Sequence, residues 1–462
     1  MPHFKFKPMG KADFSQGRVS TIILRQSIPL ALAQLVHLLY NIVDRIYIGH
    51  MPEQGTIALT GLGITFPLIS IIGAFTNLFG MGGTPLFSIK RGEGRQDTAE
   101  LILGNTFALL LLSSLLLMTT MLAFRRSLLF LFGASDVSYT YADAYLKIYL
   151  LGTPFAMLST GLNGFINAQG FPVIGMLTTL IGAIINLVLD PLFIFVFRWG
   201  VKGAALATVI AQCASCIWAL VFLFGRRAPC RIRIHMLRIH RDISTKIILL
   251  GSSGFMMQAT NGVVQGACTS TLQGYGGDLY VSLFTILCSV RDLITLPISG
   301  LTSGSQPVLG YNYGAKRMER VREGIRFVTI LGFIYTLIAW IIIMLFPKMF
   351  LRVFSDGSEL ILIGVSAMRI FFAAFFFMVF QFAGQSVFQG LGFAKYAIFF
   401  SILRKIVIVV PLTLLLPRIG LGVNGVFLAE PISDILGGTA CYLTMKRKVY
   451  HHLGESSLQE DR

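Results

Sequence analysis

The sequence predicts an all-α polytopic membrane protein with twelve transmembrane helices in two six-helix lobes, related by pseudo-twofold symmetry along the membrane normal. Its 462 residues are 55% hydrophobic and 13% charged, with a mean hydropathy of +0.74, whereas soluble chains are about 25% charged. The apolar residues form long runs, unlike the short alternating strands of an outer-membrane barrel. The second half of the chain also repeats glycine and phenylalanine positions of the first.

Twelve apolar runs, separated by charged or Gly/Pro-rich segments, predict the helices in order. A span needs roughly 20 residues to cross the hydrocarbon of a bilayer, and each run is long enough. The predicted spans are 27–49, 60–83, 99–124, 140–166, 171–197, 203–224, 245–270, 279–301, 325–346, 359–388, 395–417 and 423–445.

Five domains follow from these spans. The polar N-terminus is no cleavable signal, because the apolar run after it is too long for a signal sequence. The predicted domains are a cytoplasmic N-terminal segment (1–26), an N-lobe (27–224), a cytoplasmic linker (225–246), a C-lobe (247–445) and a cytoplasmic tail (446–462).

The basic residues predict the orientation of the chain. The net charge is +17, and 25 of the 38 Lys and Arg residues fall in segments on the N-terminal side of the membrane, against seven on the other side. Such clusters between apolar runs are typical of cytoplasmic loops beside anionic lipid and not of a nucleic-acid surface. Both termini are therefore predicted to be cytoplasmic.

A constant offset of 222 residues relates the two halves. It pairs Gly82 with Gly304, Gly170 with Gly392, Phe171 with Phe393, Gly200 with Gly422 and Gly203 with Gly425, among others. Six spans per half give both halves the same orientation, as in parallel-repeat transporters. Two similar lobes around a cleft suit alternating access.

Acidic residues inside spans are costly and by default indicate function. Asp44 and Asp190 lie at similar depth in spans 1 and 5, Asn186 precedes Asp190 by one turn, and Thr208 lies at that level in span 6. These oxygen donors suit a hard monovalent cation such as Na⁺, and equally suit protonation, because burial and a second carboxylate disfavour the ionised form. The alternative is structural, with Asp44 paired to Arg45 and Asp190 a helix-end acid.

The second lobe does not repeat this set, since the offset places Gly266, Ile408, Leu412 and Glu430 at the equivalent positions. Glu430 and Asp434 share a helix face. They either bind a cationic substrate or neutralise basic residues of the same lobe, namely Arg369, Arg404 or Lys405. Asp292, beside Arg291, is interpreted as structural.

Other polar residues of the spans are candidates for the cleft or for a hinge. Pro29 inside span 1 can bend the helix, unless it lies harmlessly in the first helical turn. His37 either titrates near neutral pH or is a hydrogen-bonded interior histidine. The predicted substrate-cleft residues are His37, Tyr40, Asn41, Asn163, Glu430 and Asp434.

Several motifs together resemble the multidrug and toxic compound extrusion (MATE) family in its prokaryotic MepA-like branch. The resemblance covers about residues 20–447. The motifs are Ser-Ile-Pro at 27–29, Tyr-Asn-Ile-Val-Asp-Arg-Ile-Tyr-Ile-Gly at 40–49, Asn-Leu-Val-Leu-Asp-Pro at 186–191, Gly-Val-Lys-Gly-Ala-Ala at 200–205 and Gln-Pro-Val-Leu-Gly-Tyr-Asn-Tyr-Gly-Ala at 306–315.

The resemblance implies cation-coupled export of organic, often cationic, amphipathic compounds. It also implies that Asp44, Asn186, Asp190 and Thr208 match the family's first-lobe cation site, and that Pro29 is the bending proline of span 1. Members use Na⁺, H⁺ or both, and the four residues fit either ion.

Two other functions compete with this interpretation. A lipid-linked precursor flippase on the same fold needs a strongly cationic first-lobe cavity, which the sequence does not provide, although the second lobe carries Arg291, Arg369, Arg404 and Lys405. An intramembrane enzyme needs catalytic clusters or a motif such as HExxH, and the sequence has none. We therefore expect a monomeric transporter of small organic molecules in the lipid bilayer, with no enzymatic activity, no cofactor and no nucleic-acid partner.

Overall fold

The computed structural model describes residues 12–49, 51, 55–233, 236–354, 358–451 and 453, and these form helices but no strand. The α-helices are α1 (Val19–Gly49), α2 (Gly55–Gly92), α3 (Gln96–Leu131), α4 (Asp136–Leu151), α5 (Thr153–Ala168), α6 (Pro172–Pro191), α7 (Gly200–Phe224), α8 (Arg241–Gly314), α9 (Met318–Leu345), α10 (Pro347–Phe354), α11 (Ser358–Phe371), α12 (Met378–Gly390), α13 (Ala394–Ile402), α14 (Val410–Leu415), α15 (Gly422–Ser433) and α16 (Thr439–Met445). Short π-helical segments follow α6, α13, α15 and α16, at Leu192–Val196, Leu403–Val409, Asp434–Gly438 and Lys446–Tyr450.

Every predicted span has a helical counterpart. Nine helices of the described residues are long and apolar enough to cross a membrane. One of them, α8, contains two predicted spans joined at Gly277, whose φ of 69° and ψ of −165° are not helical. The span predicted at 140–166 is divided between α4 and α5 at Gly152, and the last span is divided among α15, a π-helical segment and α16.

Contacts between Cα atoms divide the described chain into two units. Unit 1 comprises 12–17 and 28–255, and unit 2 comprises 18–27 and 256–453. The helix α1 therefore begins in unit 2 and continues in unit 1. It starts at Val19, earlier than the predicted 27, because Val19, Ile22 and Ile23 are apolar side chains buried in unit 2. The predicted domain boundaries stay a prediction.

Within unit 1, α2 and the first part of α8 approach so closely that two positions require glycine. A Cβ atom added to Gly82 would collide with the backbone oxygen of Ile247, and one added to Gly251 would collide with that of Leu78. Small residues that let helix backbones meet are a common way to pack helices in lipid, where apolar side chains gain little from association.

The segment predicted as a linker is held against unit 1 by buried polar groups. Glu100 of α3 forms an ion pair with Arg233 at 2.8 Å and accepts a hydrogen bond from the backbone N–H of Arg231. Asn105, also on α3, donates to the backbone oxygen of Arg238 and accepts from the N–H of His240. The described residues of this segment therefore belong to unit 1.

In unit 2 the π-helical segments coincide with charged residues. Arg404 and Lys405 lie in the segment Leu403–Val409, and Asp434 begins the segment Asp434–Gly438. A π-helical turn is rare and occurs often at functional sites, because it displaces side chains from the regular helical face. The apolar packing around these segments includes Phe371, Phe372 and Phe427.

Candidate functional site

Two polar side chains face each other along one side of α6. Asn186 and Asp190 are one turn apart and only 2% and 1% exposed. Nδ2 of Asn186 donates a hydrogen bond to Oδ1 of Asp190 at 3.2 Å. Among the described residues no donor reaches the other oxygen, Oδ2, which is buried as well. A buried carboxylate oxygen without a donor is costly unless a proton or a cation binds it.

Thr208 of α7 extends this pair to a second helix. Nδ2 of Asn186 lies 3.4 Å from Oγ1 of Thr208, so the amide contacts both neighbours. The hydroxyl of Thr208 donates to the backbone oxygen of Ala204 at 3.0 Å, which leaves its lone pairs directed away from α7. The small residues Gly203, Ala204, Ala205 and Ala207 are all buried and let α7 pack closely here.

Asp44 of α1 brings a second carboxylate to the same place. Its side chain is half-buried, and its carboxyl group lies within hydrogen-bonding range of Asp190. Two carboxylates this close repel each other in a low-dielectric site unless a proton or cation lies between them. The structure thus brings together the four residues predicted for the cation site, Asp44, Asn186, Asp190 and Thr208, all within unit 1.

Tyr145 of α4 is a fifth member that the sequence analysis missed. It is buried and close enough to Thr208, Asp44 and Tyr40 for electrostatic interaction. Its ring stacks on that of Tyr149 at 5.9 Å. The sequence does contain an indication of this residue, namely two tyrosines four residues apart in one span. A buried tyrosine hydroxyl needs a polar partner, so such a pair predicts a polar site nearby.

The donors of this site are two carboxylates, an amide and two hydroxyl groups. Such hard oxygen ligands suit an alkali cation or a proton, and not a soft transition metal. The described residues contain no group of three or more His, Cys, Asp and Glu side chains suited to a metal ion. We call Asp44, Asn186, Asp190, Thr208 and Tyr145 the carboxylate site.

The other predicted cleft residues of the first lobe that the structure describes lie on two helices, His37 and Tyr40 on α1 and Asn163 on α5. His37 is exposed on α1, and its ring makes an edge contact with Tyr40 at 5.0 Å. Asn163 of α5 lies with Asn167 against Gly175 of α6. The side chain of Asn41 lies outside the described part of the structure.

Pro29 lies in the interior of α1 rather than in its first turn, since the helix begins at Val19. It cannot donate a hydrogen bond to the preceding turn. The boundary between the two units falls between Ser27 and Ile28, next to this proline. Ser27 Oγ donates to the backbone oxygen of Leu301 at 3.2 Å, so the part of α1 before Pro29 is anchored in unit 2.

Glu430 and Asp434 belong to a buried ionic cluster in unit 2. Oε1 of Glu430 lies 2.6 Å from Nη1 of Arg291 and 3.5 Å from Nζ of Lys405. Nη2 of Arg404 lies 3.2 Å from Oε2 of Glu430 and 2.7 Å from Oδ1 of Asp434. We call Arg291, Arg404, Lys405, Glu430 and Asp434 the ionic cluster.

The ionic cluster shows which basic residues the two acids contact. Of the three partners named in the sequence analysis, Arg404 and Lys405 lie in the cluster, while Arg369 is exposed and forms no ion pair with any described residue. Arg291 of α8 is an additional partner that the sequence analysis did not connect to them. Asp292 lies 3.9 Å from Arg291, with its side chain 67% exposed.

Comparison with known proteins identifies the relatives of this chain. A sequence model of the MatE family matches residues 29–192 and 255–415. The chain is 24% identical over 439 residues to the multidrug export protein MepA of Staphylococcus saprophyticus, which covers 94% of this chain and 96% of that protein. It is 22% identical over 432 residues to MepA of Staphylococcus aureus, covering 93% and 94% of the two chains.

The fold matches a solved structure over nearly its full length. A multidrug resistance MATE family transporter of the MOP superfamily, in an outward-facing conformation, superposes with a TM-score of 0.90 at 23% identity. The match covers 96% of this chain and 99% of that chain. Such transporters have twelve helices in two lobes. The predicted fold class and the predicted family resemblance are both confirmed.

Proposed function

The chain belongs to the MatE family, and from that premise we propose that it is a secondary antiporter that exports organic compounds in exchange for Na⁺ or H⁺. The curated relatives are named as multidrug export proteins. The exported compounds are organic, often cationic and amphipathic, and transport proceeds by alternating access.

The contact between Asp44 and Asp190 carries the proposal. Their carboxyl groups lie in hydrogen-bonding range, and no donor among the described residues reaches the buried Oδ2 of Asp190. With both groups ionised the site is unfavourable, because repulsion and desolvation act together. Binding one Na⁺ or one H⁺ relieves both costs, so the free energy of the site depends on the ion.

The carboxylate site can transmit ion binding because four helices supply its members. Asp44 is on α1, Tyr145 on α4, Asn186 and Asp190 on α6, and Thr208 on α7. Loading the ion draws these helices together, and Pro29 gives α1 a place to bend. If ion and drug favour different arrangements of α1, each lowers the affinity for the other, which is a reciprocal coupling.

The ionic cluster does not favour a flippase for lipid-linked pyrophosphates. Three basic residues face two acids there, so only one positive charge is in excess. A pyrophosphate carries at least two negative charges and needs several unpaired cations. Export of organic compounds remains the function that the site supports best.

The proposal extends to location and assembly. We propose that the protein lies in the bacterial inner membrane with both termini in the cytoplasm, because the basic residues cluster on that side. It works as a monomer, is not an enzyme and needs no cofactor besides the coupling ion.

Transport into proteoliposomes tests the proposal. The wild-type protein should move the methyl ester of tetramethylrhodamine against its concentration gradient when an inward or outward gradient of Na⁺ or of H⁺ is imposed. The ion whose gradient drives uphill movement is the coupling ion. If neither gradient drives accumulation above that of protein-free vesicles, the antiporter function is wrong.

A further inference from the structure

The ionic cluster has more basic than acidic groups at its centre. Arg291, Arg404 and Lys405 together face Glu430 and Asp434. Asp292 touches only the edge of the cluster, at 3.9 Å from Arg291, and its carboxylate is mostly exposed. The three bases exceed the two central acids by one positive charge, and an excess charge inside a membrane-spanning unit is costly unless something balances it.

Lys405 is the basic group with the fewest contacts. An ammonium group has three donors, and Lys405 forms one hydrogen bond with the described residues, at 3.5 Å to Oε1 of Glu430. That oxygen already accepts the much shorter hydrogen bond from Arg291 at 2.6 Å. Arg404, by contrast, is held by Glu430, Asp434 and Ser433. Unused donors therefore remain on Lys405 and on Arg291, whose guanidinium has five donors and forms one short hydrogen bond, to Glu430.

The position of Lys405 keeps its ammonium group away from both ends of its helical run. It lies near the middle of the helical run Ala394–Ile419, far from either end. The run is π-helical around it, which moves its side chain off the regular helical face. The side chains of Lys405 and Arg291 are 13% and 22% exposed, so a small group can reach both.

We propose that Lys405 and Arg291 form a binding site for one monovalent anionic group. The chemistry that fits is a carboxylate of the exported compound or a free halide, since either supplies one negative charge and acceptors for the unused donors. Binding of a substrate carboxylate rests on the proposed export function, whereas binding of a halide does not. Zwitterionic amphipathic compounds are then preferred over esters that carry the same positive charge.

A matched pair of dyes tests the site. Tetramethylrhodamine carries a free carboxylate, and its methyl ester has the same ring system without that negative charge. Their affinities for the purified full-length protein in detergent are measured by fluorescence anisotropy, in buffers where chloride is replaced by methanesulfonate at constant ionic strength. In parallel, the thermal midpoint of unfolding is measured with and without chloride.

The variant Lys405→Met removes the excess charge and leaves two basic and two acidic residues, so we expect it to fold. It should bind the carboxylate dye about tenfold more weakly and the ester unchanged, since a charge-assisted hydrogen bond is lost. Lys405→Arg should keep the preference. Lys147→Met, at an exposed lysine in unit 1, is the matched control and should change neither affinity.

The outcomes separate the sources of the anion. Preference for the carboxylate dye in wild type, lost in Lys405→Met, assigns the site to a substrate carboxylate. Competition by chloride, or a chloride-dependent rise in the unfolding midpoint that Lys405→Met abolishes, assigns it to a halide. If wild type shows neither the dye preference nor a chloride effect, or if Lys405→Met retains whichever effect wild type shows, the anion site is overturned. If neither dye binds, the proposed export function is contradicted instead. The effect of chloride on the unfolding midpoint then tests the anion site by itself.

Discussion

The side-chain amide of Asn186 lies 3.2 Å from Oδ1 of Asp190, one helical turn further along α6. The same nitrogen lies 3.4 Å from the hydroxyl of Thr208 on α7. Asn186 therefore holds Asp190 and Thr208 in register. The carboxyl group of Asp44 lies within hydrogen-bonding range of Asp190, whose Oδ2 accepts no hydrogen bond from any described residue. A cation that enters the site meets oxygens already positioned by α6 and α7.

Thr208→Ala should weaken the response to sodium. A hydroxyl oxygen can ligate Na⁺ and a methyl group cannot, so loss of about 1 kcal/mol should raise the sodium concentration for half-maximal transport about fivefold. Proton-driven transport should change less. Thr208→Ser keeps the hydroxyl and is the control. A sodium dependence in Thr208→Ala equal to that of wild type would remove Thr208 from the ligand set.

Glu430→Gln should destabilise the protein rather than alter substrate choice alone. Glu430 contacts three basic residues, and removing the charge leaves them facing Asp434 only. Breaking a buried ion pair from one side costs about 3–5 kcal/mol. We expect a lower unfolding midpoint and a lower yield, and equal loss of export for cationic and neutral dyes.

A second substitution that restores the net charge of the ionic cluster is the control for Glu430→Gln. The double variant Glu430→Gln with Lys405→Met restores the single excess charge, and it should recover part of the lost unfolding midpoint. A selective loss of cationic dyes in Glu430→Gln, at unchanged stability, would instead show that Glu430 contacts the substrate.

Pro29→Ala should slow transport without lowering stability. Alanine restores a backbone donor inside α1 and favours a straight helix. Binding of drug in detergent should be retained, while the rate of gradient-driven export should fall several-fold. Pro172→Ala is the matched control, because Pro172 occupies the first turn of α6, where proline costs nothing. Wild-type transport by Pro29→Ala would show that α1 needs no bend there.

Reporter fusions test the orientation. Fusions after Arg227 and after Arg447 should both give a cytoplasmic signal, because the basic segments cluster on that side. A fusion after Arg198 should give the opposite signal and serves as the control. A periplasmic signal at either of the first two sites would contradict the twelve-span arrangement.

Most residues of the carboxylate site could be predicted from the sequence, because their depth in the membrane can be counted along the predicted spans. Asp44 and Asp190 are costly within apolar runs, and counting residues from the helix ends places them at one level. Helical spacing then adds Asn186. Tyr145 was missed because its position in the site depends on how α4 is rotated about its axis against α7. The apolar runs of the sequence do not predict that rotation.

The ionic cluster shows the limit of the same reasoning. Glu430 and Asp434 were recognised as a pair on one face, but Arg291 comes from a helix that is distant in sequence. Several basic residues of the second lobe lie at a depth in the membrane that would let them pair with Glu430 and Asp434. The π-helical turns at Leu403–Val409 and Asp434–Gly438 decide which side chains meet, and no residue pattern in these segments indicated them.

We propose that Asp44 and Asp190 couple transport to the ion. Asp44→Asn and Asp190→Asn remove one charge each while keeping nearly the same shape. Each variant should fold, insert in the membrane and bind drug in detergent. Asp143→Asn, which removes a carboxylate paired with Arg125 elsewhere in unit 1, is the matched control.

The most direct measurement compares uphill export with dye exchange in the same proteoliposomes. Uphill export needs the imposed ion gradient, whereas exchange of labelled for unlabelled dye at equal concentrations does not. We predict that Asp44→Asn and Asp190→Asn each lose gradient-driven accumulation while exchange continues, and that Asp143→Asn retains both. Accumulation by both Asn variants at wild-type rates under the same gradient would contradict coupling at the carboxylate site.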